Sequence, residues 1–143
     1  MSFVRSLQMI AMKAEEGYSH IRIRVESTAQ ARQFDYARSR LMPMVWMNIF
    51  RNTAQHAGPE PEVLVSISYE EDSFYITVVD NGPGISDEDA EWLFVRGTRE
   101  ERDFRGMGLY LARTIIESHG GTIELLDKVG CKIGIRLPIQ LEM

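Results

Sequence analysis

The stretch that decides the fold is Val78-Val79-Asp80-Asn81-Gly82-Pro83-Gly84-Ile85, where an apolar run ends in a carboxylate and two closely spaced glycines. The run is the end of a predicted strand, Phe74–Val79, which pairs with a second predicted strand, Val63–Tyr69, across an acidic turn. Glycines let the backbone turn sharply and approach a ligand closely. The Asp80 carboxylate can therefore accept a hydrogen bond from an amino group in a pocket. Turn geometry alone is an open alternative, because Asn-Gly and Pro-Gly are common turn pairs.

A predicted helix, about residues 41–56, precedes these strands and is strongly apolar. It nevertheless carries Asn48 and Asn52, and asparagine is a poor helix former that costs free energy when it is buried without a partner. Helical spacing places both on one stripe with Gln55 or His56. Amide oxygens suit a hard cation such as Mg²⁺, which prefers oxygen ligands and bound phosphates. A structural role, in which the amides satisfy neighbouring backbone groups, stays open.

A third motif, Arg105-Gly106-Met107-Gly108-Leu109-Tyr110-Leu111, runs into a predicted helix at about 108–119. Free N–H groups at a helix N-terminus that is reached through glycines form an anion site suited to a phosphate. A flexible hinge before the helix is the alternative. The motif lacks the third glycine of a dinucleotide fingerprint, and the chain has no P-loop sequence.

The rest of the chain completes an α+β pattern. The other predicted elements are a helix at 3–16, a strand at 21–25, a short helix at Asp87–Phe94, and strands at Thr122–Leu126 and Lys132–Leu137. Because helices and strands do not alternate regularly, we expect a two-layer α/β sandwich. Its sheet is mixed, mostly antiparallel, and covered on one face by about three helices.

The composition of the chain excludes several classes of protein and of binding partner. The chain has 143 residues, 44% of them hydrophobic, a net charge of -5 and one cysteine, which excludes a disordered chain and a disulfide scaffold. The negative charge argues against nucleic acid as a partner. The longest apolar run, about 41–47, is far below the ~20 residues that span a bilayer. We expect a cytoplasmic domain without direct membrane contact. Whether its parent protein is anchored in a membrane stays open.

In their order and spacing, the three motifs resemble those of the GHKL ATPase superfamily, which includes gyrase, the heat-shock chaperone and sensor histidine kinases. The resemblance covers about residues 20–138 and implies a Bergerat-type sandwich with ATP and Mg²⁺ as cofactors. It implies that Asn52 coordinates Mg²⁺, that Asn48 supports the same site, and that Asp80 takes the adenine amino group. The ending from Gly120-Gly121 to Leu137-Pro138 resembles the histidine-kinase version of the domain.

The resemblance implies further nucleotide contacts, from an F box at Leu93–Gly97 and from a second glycine box under the triphosphate. The implied cofactor-binding residues are Asn52, Gln55, His56, Asp80, Gly82, Gly84, Ile85, Phe94, Gly106, Met107, Gly108 and Leu109. Gln55 stands where kinases often carry lysine, and His56 where an aromatic often packs on adenine. The third glycine box, Gly130-Cys131-Lys132-Ile133, departs from the family pattern, so we expect no ligand contact there.

The residue one turn before the metal asparagine separates kinases from hydrolases in this superfamily. Members that hydrolyse ATP place a glutamate there as a general base, whereas this chain has Asn48, and an amide cannot take a proton from water near pH 7. The resemblance therefore implies the histidine-kinase branch. Arg96 and Arg99, in an arginine-rich segment at 96–105, are predicted to act on the γ-phosphate, with a solvated basic loop as the alternative.

The acceptor histidine of a histidine kinase lies on a long exposed helix and is usually followed by an acidic residue. None of His20, His56 and His119 fits this description, so we expect a kinase domain that is not self-sufficient. Its expected partners are a dimerisation and phosphoacceptor hairpin of the parent kinase and a downstream response regulator. We interpret residues 1–18 as the end of that hairpin or a linker, and 19–143 as the catalytic domain.

Two other functions stay open. One is a stand-alone serine kinase of the anti-sigma-factor type, a class that usually keeps the glutamate that Asn48 replaces. The other is a nucleotide-binding regulator without transferase activity, since Gln55 lacks the usual positive charge.

Overall fold

A computed structural model describes residues 2–18, 20–35, 39–91, 93–94 and 106–139, with side chains from 109 onward in the last segment. Its elements, in chain order, are α1 (Phe3–Gly17), β1 (Arg22–Ser27), a 3-10 turn (Ala31–Gln33), α2 (Met42–His56), β2 (Glu62–Glu70), β3 (Ser73–Asp80), α3 (Asp87–Ala90), α4 (Gly106–Ser118), β4 (Thr122–Asp127) and β5 (Lys132–Pro138). The predicted α+β class is confirmed.

The described strands form one open sheet in the order β1-β2-β3-β5-β4. β1 pairs with β2 in parallel, and the other neighbours pair antiparallel. The sheet is therefore mixed and mostly antiparallel, as the sequence predicts.

The helices cover one face of the sheet. In β2, Val63, Val65 and Ile67 are buried, whereas Leu64 between them is only partly buried. This alternation is the period of a strand with one face in the core. Helices α1, α2 and α4 supply the apolar residues of the same core, and α2 packs against both of the others. On the opposite face, which we call the open face, no helix among the described residues covers Tyr75, which is 37% exposed.

Helix α1 packs into this core. Ser2 caps its start, and the Phe3 ring centroid lies 4.4 Å from that of Phe74 on β3 and 5.8 Å from that of Trp46 on α2. Leu7 is fully buried one turn later. Helix α1 therefore contributes to the same apolar layer as the sheet and α2, while the domain boundary at residue 18 stays a prediction.

The short helix α3 differs from the prediction, because it ends at Ala90 rather than Phe94. Ser86 caps it as expected, by accepting a hydrogen bond from the Asp89 backbone N–H at 3.1 Å. The Leu93 N–H then bonds the Ala90 carbonyl in a tighter turn, and the Leu93 side chain is fully buried. Burial of that side chain thus competes with continuation of the helix.

Within the described segments, no helix has the length and apolar character needed to cross a membrane.

Candidate functional site

Two asparagines lie buried on α2. Asn48 is 8% exposed and Asn52 is 7% exposed, one helical turn apart. Their neighbours Trp46, Ile49 and Phe50 are almost fully buried, so packing holds this helix rigidly in the domain. The predicted stripe of buried amides is therefore present.

The side chain of Asn48 is only half satisfied. Its Oδ1 accepts a hydrogen bond from Arg51 Nη2 at 3.2 Å. Its Nδ2 is buried and has no hydrogen-bond partner among the residues that the structure describes. A buried donor without a partner costs about 1–3 kcal/mol. Such a group in a folded protein requires a reason, and a polar ligand is one.

Asp80 ends β3 with its carboxylate held in place. It is 7% exposed, and its Oδ1 accepts the backbone N–H of Gly82 at 2.9 Å. Its own backbone N–H donates to the carbonyl of Gly130 at 3.0 Å. The Gly130 turn therefore contacts the backbone of Asp80. This bond fixes the backbone of Asp80 at the end of β3. We expect no ligand contact in the Gly130 segment itself.

Gly82 brings the Asp80 turn against the end of α2. A Cβ added at Gly82 would lie 2.8 Å from the Cα of Ala57, the residue that follows α2. Only glycine permits this approach without a shift of the backbone. The structure thus places the turn next to the helix that carries both asparagines.

The other side of the turn rests on the β4–β5 connection. The Ile85 N–H donates to the Lys128 carbonyl at 2.9 Å, and the Lys128 ammonium forms an ion pair with Asp87. The hydrogen bond from Lys128 holds the pKa of Asp87 below its usual value. The contribution of this pair to stability is therefore complete above the unfolded-state pKa of Asp87 and is lost as the pH falls through the lowered folded-state pKa.

A matched pair of glycines tests this geometry. Gly84 (φ +85°) and Gly58 (φ +96°) both have left-handed backbones, but a Cβ at Gly84 would overlap the Lys128 carbonyl, whereas Gly58 faces open space. We expect Gly58→Ala to cost about 1–2 kcal/mol of unfolding free energy from backbone strain alone. Gly84→Ala should cost clearly more, measured by urea unfolding. Equal losses would contradict the described contact.

The start of α4 lies on the same side of the molecule as α2, because α4 packs against α2. The helix begins at Gly106, so the backbones of Gly106, Met107 and Gly108 form its first turn. Leu109 is fully buried in the core. The side chain of Met107 lies outside the described residues.

The remaining predicted site residues divide into two groups. Gln55 is exposed, whereas His56, Ile85 and Phe94 are partly buried, and the last two pack against the core. Arg96 and Arg99, the predicted catalytic arginines, lie outside the described residues. Their role at a phosphate stays a prediction.

Sequence reasoning missed the clamp made by Asn81. Its Oδ1 accepts the Glu62 N–H at 2.8 Å, and its Nδ2 donates to the Glu60 carbonyl at 3.1 Å. The amide therefore ties the turn to the start of β2. Asn81 lies inside the turn motif, but only the sheet pairing shows which distant backbone groups it meets. Arg51 was also missed, although its position three residues after Asn48 predicts contact on a helix.

A groove of about 730 Å³ opens at the end of β3, where Asp80 and Asn81 line it. Its other lining residues come from α1, β1, β2 and β3, among them Glu15, Arg24 and Leu64. No residue of α2 or of the described part of α4 contributes to its lining. The groove therefore shares Asp80 with the arrangement described above but does not include the α2 amides.

The family described as histidine kinase-, DNA gyrase B-, and HSP90-like ATPase matches residues 37–141, which contain α2, the Asp80 turn and α4. The chain belongs to this family. Among curated proteins, it is similar to sensor histidine kinases. It is 28% identical to the sensor histidine kinase ZraS of Escherichia coli O157:H7 over 138 residues, which are 95% of this chain and 30% of that protein. It is 32% identical to the sensor histidine kinase DcuS of Escherichia coli strain K12 over 85 residues, 58% of this chain and 16% of that protein.

Solved structures give the same fold. The chain superposes on the mycobacterial sensor histidine kinase MprB with a TM-score of 0.75 and 20% identity, covering 99% of both chains. It superposes on the catalytic domain of histidine kinase ThkA with a TM-score of 0.77 and 19% identity, covering 97% of this chain and 93% of that one. The chain thus has the fold of a histidine kinase catalytic domain. It spans about a third or less of the curated relatives named here.

Proposed function

We propose that the chain binds Mg-ATP and donates the γ-phosphoryl group to a histidine on a separate helical hairpin, as the catalytic part of a sensor histidine kinase. The observation that carries this proposal is the contact of the Asp80 turn with the end of α2, the helix that carries both buried amides, together with a buried Asn48 donor that has no partner in the described residues. Within this family, such a cluster of polar groups fits a nucleotide.

The adenine side of the proposed site is the Asp80 turn. Asp80 would accept the adenine amino group, because the Gly82 N–H occupies one carboxylate oxygen and fixes the orientation of the other. The glycines at 82 and 84 let the backbone lie close to the base, and Ile85 and Phe94 offer partly buried apolar surface beside it. His56 is proposed to pack on the base, and Gln55 to lie toward the phosphates.

The phosphate side is proposed to consist of the first turn of α4 and the α2 amides. Backbone N–H groups at the start of a helix have no partner within the helix, and they favour an anion. Residues 106–109 would offer these groups to the phosphates. Asn52 would hold Mg²⁺ through its amide oxygen, and the ion would neutralise phosphate charge. Arg96 and Arg99 are proposed to stabilise the γ-phosphate during transfer.

Transfer is favoured over hydrolysis by the chemistry of Asn48. A hydrolase needs a general base to activate water, and an amide is not one. Phosphoryl transfer needs positioning and charge neutralisation instead. Since the relatives are sensor kinases much longer than this chain, we propose the parent's phosphoacceptor hairpin and a response regulator as partners.

Transfer of labelled phosphate tests the proposal. The chain, Mg²⁺ and ATP labelled at the γ-phosphate are mixed with the helical hairpin of the parent or a genomically neighbouring kinase. We expect label on the hairpin that resists alkali and is lost in acid, as for phosphohistidine, and no label when the hairpin histidine is replaced. Acid-stable label on serine of a small antagonist protein would favour the serine-kinase alternative. ATP binding without any transfer would favour the regulator.

A further inference from the structure

We infer that Arg51 is a positioning residue of the nucleotide site: it holds the oxygen of Asn48 and thereby presents the Asn48 amide nitrogen to a phosphate oxygen, leaving the metal to Asn52. This inference rests on the proposed function. It adds a residue that the family motifs do not assign, and it changes the role of Asn48 from metal support to phosphate donor.

The orientation of the Asn48 amide follows from the chemistry of its neighbour. A guanidinium only donates hydrogen bonds. The Asn48 atom that lies 3.2 Å from Arg51 Nη2 must therefore be the amide oxygen. The other end of the amide is then the NH₂ group, which is buried and has no partner in the described part of the chain.

The chemistry of the Asn48 NH₂ group determines which kind of ligand it can bind. An NH₂ group cannot bind a cation, but it can donate to an anionic oxygen, and hydrogen bonds to charged acceptors are the strong ones. The opposite arrangement, with Mg²⁺ on the Asn48 oxygen, would place the metal and a guanidinium at the same atom. Two cations at one amide oxygen repel each other. The metal is therefore left to Asn52, which is 7% exposed and lies one turn further along α2.

Charge along α2 supports the same role for Arg51. Arg51 and Gln55 are four residues apart and therefore share one side of the helix. Gln55 is neutral, so Arg51 brings the positive charge to this side, next to the asparagines. Because Arg51 is exposed, replacing it removes little packing, and loss of function can be separated from loss of fold.

Calorimetric titration with Mg-ATP and with adenosine tests the inference. We expect Arg51→Met to bind Mg-ATP about tenfold more weakly, with Arg51→Lys intermediate, because an oriented donor to an anion is lost. Adenosine has no phosphates, so its affinity should be unchanged in both variants. Arg136→Met removes the same charge from an exposed site on the open sheet face and should bind both ligands like the unmodified chain.

Asn48→Asp distinguishes the two possible roles of Asn48, which are binding Mg²⁺ and donating a hydrogen bond to a phosphate. A carboxylate can bind Mg²⁺ but cannot donate to a phosphate, so we expect Mg-ATP affinity to fall at least about tenfold while adenosine affinity is kept. In a double-mutant cycle, adding Arg51→Met to Asn48→Ala should cause little further loss, because Arg51 acts through Asn48.

Three results would overturn the inference while leaving the proposed function intact. These are Mg-ATP binding by Asn48→Asp that is as tight as in the unmodified chain, unchanged binding by Arg51→Met, and additive losses in the cycle. A failure of the unmodified chain to bind Mg-ATP would instead contradict the proposed function itself. If Arg51→Met does not fold, Arg51→Lys and the adenosine titration still decide.

Discussion

Replacing Asp80 by asparagine is expected to weaken ATP binding by about 100-fold or more while leaving the domain folded. Asp80→Asn keeps an oxygen that can accept the Gly82 N–H, which lies 2.9 Å from Oδ1. It turns the other oxygen into an NH₂ group, so two donors would face each other at the adenine amino group. The change loses a charge-assisted hydrogen bond and leaves a buried donor unpaired, each worth about 1–3 kcal/mol.

Inosine triphosphate sharpens this test, because it carries a carbonyl oxygen where adenine carries its amino group. The unmodified chain should prefer ATP, and Asp80→Asn should lose or reverse that preference. Glu124→Gln, an exposed residue of β4, makes the same charge change away from the site and should leave both affinities unchanged. Equal weakening of both nucleotides by Asp80→Asn, with the fold intact by circular dichroism, would contradict the adenine role of Asp80.

The largest expected effect on stability comes from α1. Phe3→Ala should lower the free energy of unfolding by about 3 kcal/mol or more, because large apolar side chains that leave a cavity cost about 3–5 kcal/mol. Phe3 is 3% exposed and lies between the rings of Phe74 and Trp46, so no solvent can fill its place easily. Urea unfolding measures the loss.

Met12→Ala is the matched control on the same helix. Met12 is 61% exposed, so its truncation should change stability by less than about 0.5 kcal/mol. If Phe3→Ala were as mild as this control, α1 would not contribute to the core as the structure describes. A large loss would show that the domain needs residues that precede the predicted boundary at 18.

The sequence predicts the fold well where periodicity is strong. The alternating residues of β2 and β3 and the apolar helix α2 follow from their patterns, because each has one face in the core. Pattern alone does not give the end of α3, where the burial of Leu93 overrides the helical signal. Nor does it give the strand order, in which β5 lies between β3 and β4.

The candidate site is likewise predicted only in part by the sequence. Asn48, Asn52 and Asp80 stand out in the sequence because polar residues are costly at such apolar positions. The residues that orient them do not stand out. Arg51 resembles any surface arginine, and Gly130 and Lys128 lie some 50 residues from Asp80, so only the sheet pairing brings them to the turn.

The central claim is that the nucleotide lies between α2, the Asp80 turn and the start of α4. The most direct measurement is a titration of the ¹⁵N-labelled chain with Mg-ADP, followed by nuclear magnetic resonance. Our account predicts the largest shifts at the side-chain amides of Asn48 and Asn52, at the backbone of residues 80–85 and in the first turn of α4, with little change at Arg136 on the open face. Shifts centred instead on Arg22, Arg24 and Leu64, which line the groove that extends from Asp80 away from α2, would contradict it.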